Sequence, residues 1–535
     1  MARLFDLPQR TTKAGDHSIA VKVKTKAKAG GVAVHGNGGS LLEKISTISA
    51  LVTSRLGKYA DHYLIIRDEK QLDEYISECL KNGIIAIDTE TNKLDPILAT
   101  LAGICIYTPT MKAAYVPIHH VSYVTGIEVD NQISTTFIAA QLMRIKNEAE
   151  SAARGTKFEI IMFNAKFDMR VIKNQLSVKL IATWDCYLAA RLLNENEGDG
   201  NNNLKSLHRK YCLNGEGDAF SFLDLFSGIP FTHIPINTAY LYAARDPEIT
   251  FELYAFQKPF LTADDPVCIE KDLVSVSSVF HNIEMPLISV LCDMEDAGIS
   301  FDFEFAQKLS EKYKKLLVEK EEKFYQLCDT YKDEIEKYRK QVPNNKLGDP
   351  ISITSPTQLA ILLYDILQEK VVDKEKPRGT GEEILIKMKN PLCKAILEHR
   401  EVAKLISTYI DKMVEIVNSK TNKIHCSFNQ IGANTGRFSS SDPNMQNIPS
   451  HNKEIRRMFK ASPGHVLLSS DYSAQEPRLT AHMSNDEKMV AAYKAGKDLY
   501  VEVASIAFGL PYDECKEFRA DGTSNPDGKE RRNRA

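Results

Sequence analysis

The sequence lacks the cysteine patterns that hold structural zinc or build a disulfide scaffold. Its ten cysteines are scattered over 535 residues, with no Cys-x-x-Cys pair and no Cys/His cluster at zinc spacing. It has no apolar run near the roughly 18 residues of a membrane span, and its N-terminus has no apolar stretch typical of a signal peptide. These absences argue against a disulfide-stapled domain and favour a reducing, cytoplasmic compartment with no membrane partner.

A chain of 535 residues is too long to fold around a single hydrophobic core, so we expect two to four domains. The net charge of −3 conceals a basic, glycine-rich segment over residues 1–40, for which we predict a disordered tail. From about 60 to 260, short apolar runs alternate with helical patterns, which predicts an α/β domain. The predicted strands are GIIAIDTE, LAGICIYT, AAYVPIH and FEIIMFN, and the predicted helices are QLDEYISECL and Thr238–Phe256.

Two carboxylates stand at the end of the first of these apolar runs. Ile84–Ile87 predicts a buried strand, and Asp88 and Glu90 follow it two residues apart. Side chains two apart on a strand share a face, and two carboxylates on one face repel each other unless a cation lies between them. A charged strand end beside a turn is the alternative interpretation of this pair.

Two further motifs follow in order. MFNAKFDMR places Asn164 and Asp168 four residues apart after another apolar run. YLYAARDPE places Tyr242 and Asp246 four apart on a helical pattern, hence on one helix face. Over about 200 residues this series resembles the proofreading 3′–5′ exonucleases of the DEDD type. WDCYLAARLLN and NLKSLHRKYC are similar to that family's linking helices.

The resemblance implies a metal-dependent nuclease site. It implies that two divalent metal ions are bound by four carboxylates, Asp88, Glu90, Asp168 and Asp246, and that Tyr242 orients the attacking water. Two metal ions about 4 Å apart can activate a water and stabilise a leaving oxygen. Because carboxylate oxygens suit Mg²⁺, we expect Mg²⁺, with Mn²⁺ as a substitute. Pro247 disfavours helical geometry in the residue before it, so we expect a helix break or kink at Asp246.

The remainder resembles the polymerase region of the family A DNA polymerases, the bacterial DNA polymerase I type. Residues 283–302 predict an amphipathic helix capped by Gly298 and are similar to the opening of that region. SITSPTQLAILLYD, GTGEEILIKM and ILEHREVAKLISTYID follow in the order of the family's thumb. The charged pattern over Phe303–Val342 predicts a solvent-facing helix or helix pair. Packed helices with solvated charges account equally well for most single residues there.

The stretch ANTGRFSSSDPNMQNIPS matches the family's TGRxSS…PNxQNIP pattern almost throughout. Minor-groove acceptors are nearly independent of sequence, so arginine and amide side chains suit a protein that reads duplex shape. By resemblance, Arg437 contacts the primer terminus, and Gln446 and Asn447 help to form that surface. Arg456 and Arg457 are candidates for backbone phosphate, with solvated surface arginines as the equal alternative.

The stretch HVLLSSDYSAQEPRLTAHMS is similar to the family's first palm motif, DYSxxExR. Val466–Leu468 predicts a buried strand that delivers Asp471 at its end. The resemblance implies that Asp471 is a catalytic metal ligand for nucleotidyl transfer. It also implies that Glu476 lies under the incoming sugar and excludes a 2′-hydroxyl, and that Arg478 supports the site. The chain departs from the usual Gln, Ile and Leu at Ala474, Gln475 and Pro477.

The basic run GKERRNRA, residues 528–535, is similar to the opening of the family's fingers helix. Arg532 takes the place of an arginine that, with a lysine one turn later, grips a triphosphate. The printed sequence contains neither that lysine nor the later His-Asp-Glu palm motif. A split gene, an intervening element and an incomplete reading frame are all consistent with this, and of the three we favour a split polymerase, with a second polypeptide that supplies the rest of the fingers and palm. A solvated basic tail is the alternative.

Together these motifs predict an α/β chain with two enzymatic regions. A ribonuclease H-like exonuclease domain covers 41–265, and an incomplete family A polymerase domain covers 266–535, with a helical thumb at about 280–425 and a partial palm and start of fingers at about 426–535. The implied function is DNA-directed DNA synthesis with proofreading in replication. The implied partners are primer-template and single-stranded DNA and deoxynucleoside triphosphates. A stand-alone exonuclease and a non-catalytic DNA-binding remnant are the alternatives, and the complete set of four acids weighs against the latter.

Overall fold

The computed structural model describes residues 41–535 except 153–157, 194–201, 217–219, 221, 227, 263–264, 434 and 451. The predicted tail, residues 1–40, lies outside the described residues. The chain divides into two compact units, the first ending at Phe459 and the second covering Lys460–Ala535. The domain boundary expected near residue 265 falls inside the first unit, and the predicted domain ranges stay predictions.

A six-stranded mixed sheet forms the centre of the N-terminal region. The strand order is β1–β4–β3–β2–β5–β6. The strands are β1 (Tyr63–Ile65), β2 (Ile84–Thr91), β3 (Leu101–Tyr107), β4 (Ala113–Pro117), β5 (Glu159–Met162) and β6 (Trp184–Asp185). β2 lies between antiparallel β3 and parallel β5. The four strands predicted from apolar runs are β2 to β5, so those predictions are confirmed.

Helices cover this sheet through two hydrophobic clusters. Neighbouring residues of β3 belong to different clusters, Ile104 to one and Cys105 to the other, as expected for a strand buried on both faces. The helices are α1 (Leu41–Leu56), α2 (Glu69–Asn82), α3 (Thr135–Ala152), α4 (Ala165–Leu176), α5 (Cys186–Leu193), α6 (Leu204–Tyr211), α7 (Phe222–Phe226), α8 (Ile236–Ala243), α9 (Arg245–Leu261), α10 (Pro266–Glu270) and α11 (Val276–Val279). The predicted helix at QLDEYISECL and the two predicted linking helices are confirmed as α2, α5 and α6.

The helix predicted over Thr238–Phe256 is interrupted. α8 ends at Ala243 and α9 begins at Arg245, which makes Pro247 the third residue of α9. Proline has no N–H to donate, and its ring clashes with the carbonyl four residues earlier, here that of Ala243. The predicted break is confirmed, and it lies two residues before Asp246.

A helical region continues the first unit. It begins with a π-helical segment, Phe280–Glu284, which leads into α12 (Met285–Ala297). Gly298 ends α12 with φ 55°, and a Cβ at this position would lie 2.6 Å from the His425 ring and 2.9 Å from the carbonyl of Ile424. Only glycine fits both the conformation and the space, so the predicted cap is confirmed.

The charged pattern of the thumb-like region forms two helices, α13 (Phe303–Asp329) and α14 (Lys332–Gln341), which confirms the predicted helix pair. Further helices are α15 (Pro356–Ala360), α16 (Glu382–Leu385), α17 (Pro391–Lys404), α18 (Asp411–Ile416) and α19 (Lys453–Arg456). Short strands are β7 (Ile299–Phe301), β8 (Lys423–Ile424), β9 (Ser427–Asn429), β10 (Ser439–Ser441) and β11 (Phe459–Lys460). Among the helices that the structure describes, none combines the length and the apolar character needed to cross a membrane.

The second unit is mainly helical. Its helices are α20 (Gln475–Ser484), α21 (Glu487–Lys494), α22 (Leu499–Phe508) and α23 (Pro526–Arg534). The prediction of a buried strand at Val466–Leu468 is wrong, because these residues are irregular and 61–91% exposed. An apolar run becomes a stable strand only when neighbouring strands pair with it and cover its faces, and no described strand pairs with this run.

Candidate active site

The central strand β2 carries the first two acids. Cys105 of β3 lies opposite Asp88 in the antiparallel register. One ligand atom from each of Asp88, Glu90 and Cys105 lies within 4.8 Å of the others. The prediction that the two acids share a face is therefore confirmed, and the sheet adds a thiol beside them.

Helix α4 carries the third acid against the same strand. The carboxylate of Asp185 accepts hydrogen bonds from the backbone N–H groups of Asn164, at 3.0 Å, and Ala165, at 2.9 Å. Asn164 has φ 60° and immediately precedes α4. Asp168, in the first turn, is buried, and its Oδ1 accepts from both the backbone N–H and the hydroxyl of Thr89, at 2.9 and 2.5 Å. These bonds attach α4 to the strand between its two acids.

The interrupted helix carries the last two predicted residues. Tyr242 lies in the last turn of α8, and Asp246 lies in the first turn of α9. Lys205 of α6 donates from Nζ to Asp246 Oδ2 at 2.9 Å, and the same Nζ lies 3.8 Å from the Tyr242 ring centroid. The other oxygen, Asp246 Oδ1, is buried and has no hydrogen-bond partner among the described residues.

The electrostatics show that the acids share one site. Desolvation and then the nearby carboxylates raise the pKa values of Asp88 and Glu90 well above their usual range, while Lys205 opposes this shift. Burial raises the pKa of Asp168 to about 7, against the lowering effect of its two bonds from Thr89. Carboxyl groups brought this close resist ionisation together, and Lys205 is the cation that opposes this effect at Asp88 and Glu90.

The surroundings of the acids also raise the pKa values of a tyrosine and a cysteine of the site. Burial, followed by the charges of Asp246, Glu90 and Asp88, raises the pKa of the Tyr242 phenol well above 10. Burial and the same carboxylates raise the pKa of the Cys105 thiol well above 9. Tyr242 therefore keeps its proton and can donate a hydrogen bond.

The donor set fits a hard divalent cation. Carboxylate oxygens are the ligands that Mg²⁺ and Mn²⁺ prefer. The half-buried Asp88 and Glu90 and the buried, unpartnered Asp246 Oδ1 leave negative charge that a cation would satisfy. Within the ranges that the structure describes, Asp88, Glu90 and Cys105 are the only group of three or more such side chains whose ligand atoms all lie within 4.8 Å of one another, and Asp168 and Asp246 are outside this group.

The predicted DNA-binding residues lie around a hairpin. β9 and β10 pair antiparallel, and Arg437 is exposed in the connection between them. Gln446 and Asn447 are exposed in a 3₁₀ turn, Met445–Asn447, and Gln446 Nε2 donates to the carbonyl of Phe438 at 3.2 Å. The structure thus brings Gln446 to the residue that follows Arg437.

The two remaining basic candidates stand at the end of α19. Arg456 is exposed. The Arg457 guanidinium lies over the Phe305 ring, 4.9 Å from its centroid. A role for either in phosphate binding stays a prediction.

The predicted polymerase residues of the second unit lie on different elements. Asp471 is exposed in an irregular segment, and Glu476 lies in the first turn of α20. Arg478 Nε donates to the carbonyl of Ser473 at 2.9 Å. Arg532 lies on α23 and pairs with Asp498 Oδ2 at 2.9 Å. The roles of these residues stay predictions.

Comparison with known proteins identifies both regions. Residues 63–259 match the family described as 3′-5′ exonuclease, and residues 321–521 match DNA polymerase family A. The DNA polymerase I of Chloroflexus aurantiacus is 32% identical over 464 residues, which are 83% of this chain and 44% of the relative. The chain thus carries a 3′-5′ exonuclease region and a DNA polymerase family A region. The DNA polymerase I of Synechocystis sp. is 31% identical over 479 residues, 86% of this chain and 43% of the relative.

The chain spans less than half the length of these curated relatives. A solved structure, the POL domain of Pol1 from M. smegmatis in complex with DNA primer-template and dNTP, shares the fold with a TM-score of 0.62 at 21% identity. The matched region covers 88% of this chain and 69% of the M. smegmatis chain. The expected α/β architecture, an exonuclease region followed by a family A polymerase region, is confirmed. Both kinds of domain are generally metal-dependent.

Sequence reasoning missed three residues of this candidate site. Thr89 lies between the predicted acids and holds Asp168. Cys105 and Lys205 belong to other elements and reach the site only through strand pairing and helix packing. The position of Thr89 in DTE was the one available signal, since a hydroxyl between two acids on a strand end is able to bind a neighbouring carboxylate.

Proposed function

We propose that this chain carries the proofreading 3′–5′ exonuclease of a DNA-directed DNA polymerase that acts in replication. The observation that carries the proposal is the convergence of four acids and a neutral tyrosine from three separate elements: Asp88 and Glu90 from β2, Asp168 from α4, and Tyr242 and Asp246 from the α8–α9 junction. Repelling carboxylates weaken a fold unless they serve a ligand.

The residues fit a two-metal hydrolysis of a phosphodiester. Mg²⁺, or Mn²⁺ in its place, would be held by Asp88, Glu90, Asp168 and Asp246, and when bound it activates water and stabilises the leaving oxygen. The neutral Tyr242 hydroxyl orients the attacking water by a hydrogen bond. The bonds from Thr89 fix Asp168 in place before any substrate binds.

The polymerase region is proposed to bind primer-template DNA and deoxynucleoside triphosphates. Arg437, Gln446 and Asn447 present exposed polar groups around the β9–β10 hairpin, which supports a minor-groove contact, with Arg456 at the phosphate backbone. The nucleotide would meet Glu476, Arg478 and Arg532, with Asp471 as a ligand for Mg²⁺. The fold neighbour from M. smegmatis is itself described with primer-template and dNTP.

A second polypeptide is proposed to cover the segment around Asp471. Val466 and Leu468 are 87% and 91% exposed, and contiguous exposed apolar side chains mark surfaces that other protein covers. In this proposal the covering chain supplies further palm and fingers residues and turns the exposed run into a paired strand.

The exonuclease proposal is tested with a 5′-labelled single-stranded DNA and Mg²⁺ or Mn²⁺. We expect a ladder of products shortened one nucleotide at a time from the 3′ end, and no cleavage in EDTA. A circular single strand of the same composition is the matched control and should stay intact, because an exonuclease needs an end. Cleavage of the circle, or an intact linear strand with both metals, would contradict the proposal.

A further inference from the structure

Lys205 is a buried lysine beside a cluster of acids. Its helix is anchored by Leu204 and Leu207 in the hydrophobic core and by Asn203, whose side chain accepts the N–H of Ser206 at 2.9 Å. The Lys205 side chain is only 11% exposed. Lysine is almost never buried unless it is paired, so its partners indicate what it does.

The two partners of Lys205 are Tyr242 and Asp246, which lie four residues apart in the motif YLYAARDPE. Nζ lies 2.9 Å from Asp246 Oδ2 and 3.8 Å from the centroid of the Tyr242 ring. An ammonium this close to an aromatic face is held by the ring quadrupole, more strongly where water is excluded. Tyr242 and Asp246 lie on different helices, since the chain breaks at Ala244. Lys205 therefore links the two residues across that break.

The two oxygens of the Asp246 carboxylate have different surroundings. Oδ2 accepts from Lys205, whereas Oδ1 is buried without a hydrogen-bond partner among the described residues. A buried carboxylate oxygen that binds nothing is destabilising. The carboxylate is thus held at one oxygen by protein while the other is available for a cation.

We propose that Lys205 is a positioning residue of the exonuclease site, an inference that rests on the proposed function. It fixes the Tyr242 ring and Oδ2 of Asp246, so that the Tyr242 hydroxyl and Asp246 Oδ1 keep the orientation that cleavage requires. In the competing role, Lys205 is a charge that a divalent cation displaces from Asp246. It would then contribute nothing to cleavage.

The test compares three variants of the full chain. Lys205→Ala removes both contacts, Lys205→Arg keeps a charge that can lie on the ring, and Lys210→Ala is the control, an exposed lysine of the same helix. Two quantities are measured: kcat for single-stranded DNA in Mg²⁺, and Mn²⁺ affinity by calorimetry without DNA. We expect Lys205→Ala to lower kcat about 10- to 100-fold, Lys205→Arg to recover most of it, and Lys210→Ala to stay within about twofold of wild type.

The Mn²⁺ affinity distinguishes a positioning role for Lys205 from a role in which it only holds the acids of the site together. Lys205→Ala removes a positive charge from the metal site, so its Mn²⁺ affinity should be at least that of the wild type. In a Tyr242→Ala background, Lys205→Ala should lower kcat less than it does in the wild type, because residues that act through each other are not additive.

Three results would overturn the inference. The first is a Lys205→Ala variant with kcat within about twofold of wild type. The second is a parallel loss of Mn²⁺ affinity and kcat, which would show that Lys205 only holds the acids together. The third is full additivity with Tyr242→Ala. A wild-type chain that leaves DNA intact would overturn the proposed function and this inference with it, whereas an active wild type with an equally active Lys205→Ala variant overturns the inference alone.

Discussion

Replacing Glu295 by alanine should loosen the attachment between the exonuclease region and the helix that opens the polymerase region. Glu295 of α12 has a fully buried side chain. Its Oε1 accepts from Lys166 Nζ at 2.5 Å and from the backbone N–H of Phe428 at 2.7 Å, and its Oε2 accepts from Arg170 at 2.5 Å. Lys166 and Arg170 belong to α4, the helix that also carries Asp168.

The expected loss follows from what the substitution leaves behind. Removing one partner of a buried ion pair costs about 3–5 kcal/mol, because a buried charge stays unpaired. Here Arg170 keeps Asp296 at 2.7 Å, and Lys166 keeps the carbonyl of Phe428. We therefore expect the lower end, about 3 kcal/mol, which is about a hundredfold in the equilibrium for local opening at 1.4 kcal/mol per tenfold.

Native-state hydrogen exchange of the α4 and α12 amides measures that equilibrium directly. Asp293→Ala is the matched control, since Asp293 lies on the same helix and its pairs with Lys173 and Lys179 are about half exposed. Exposed pairs are worth about 0–1 kcal/mol, so the control should accelerate exchange less than about fivefold. If Glu295→Ala accelerates it no more than the control does, the assignment of Glu295 as the main link is refuted.

His120 should make the chain sensitive to acid, because burial lowers its pKa to about 4. The folded pKa lies below the unfolded value of about 6.5, so the stabilisation is present above pH 6.5 and is lost as pH falls towards 4, by about 2 kcal/mol at pH 5. Between pH 7 and pH 5, the Tm of His120→Gln should therefore fall less than the Tm of the wild type. An identical fall in the two proteins would contradict this. Limited proteolysis should cut first within 465–474, where the exposed apolar run has no strand partner, and spare 84–117; equal rates would oppose this. Primer extension by an exonuclease-dead version of this chain alone should be undetectable, because Asp471 lies exposed in an irregular segment, and robust extension would refute this.

The fold of the N-terminal region was predictable where a segment carries its own signal. β2 to β5 are apolar runs bounded by turns, and a strand buried on both faces has this pattern. The three-residue strand β1 was not predicted, because it exists through parallel pairing with β4 and has no periodicity of its own. Strand pairing also explains why the strand predicted at Val466–Leu468 is not formed. This run has the composition of a strand, but no described strand pairs with it, and it stays irregular.

The site residues that could be predicted are those that form pairs two or four residues apart in the sequence. Asp88 with Glu90, and Tyr242 with Asp246, are short-range pairs whose geometry follows from strand and helix periods. Lys205 is 41 residues before Asp246 in sequence, and a single lysine on an amphipathic helix is normally solvated. Its role becomes visible only when the packing of α6 on α9 is known.

We propose that the Asp88–Glu90 pair holds the metal for cleavage at a DNA 3′ end. The most direct measurement is the initial rate of 3′-nucleotide release by wild type, by Asp88→Ala/Glu90→Ala, and by the matched control Glu319→Ala/Glu322→Ala, which removes two exposed acids of α13. We predict that the first double variant falls to the rate measured in EDTA while its Tm stays at or above that of wild type, because repelling carboxylates do not stabilise the fold, and that the control keeps the wild-type rate. Cleavage by Asp88→Ala/Glu90→Ala at the wild-type rate would contradict the claim.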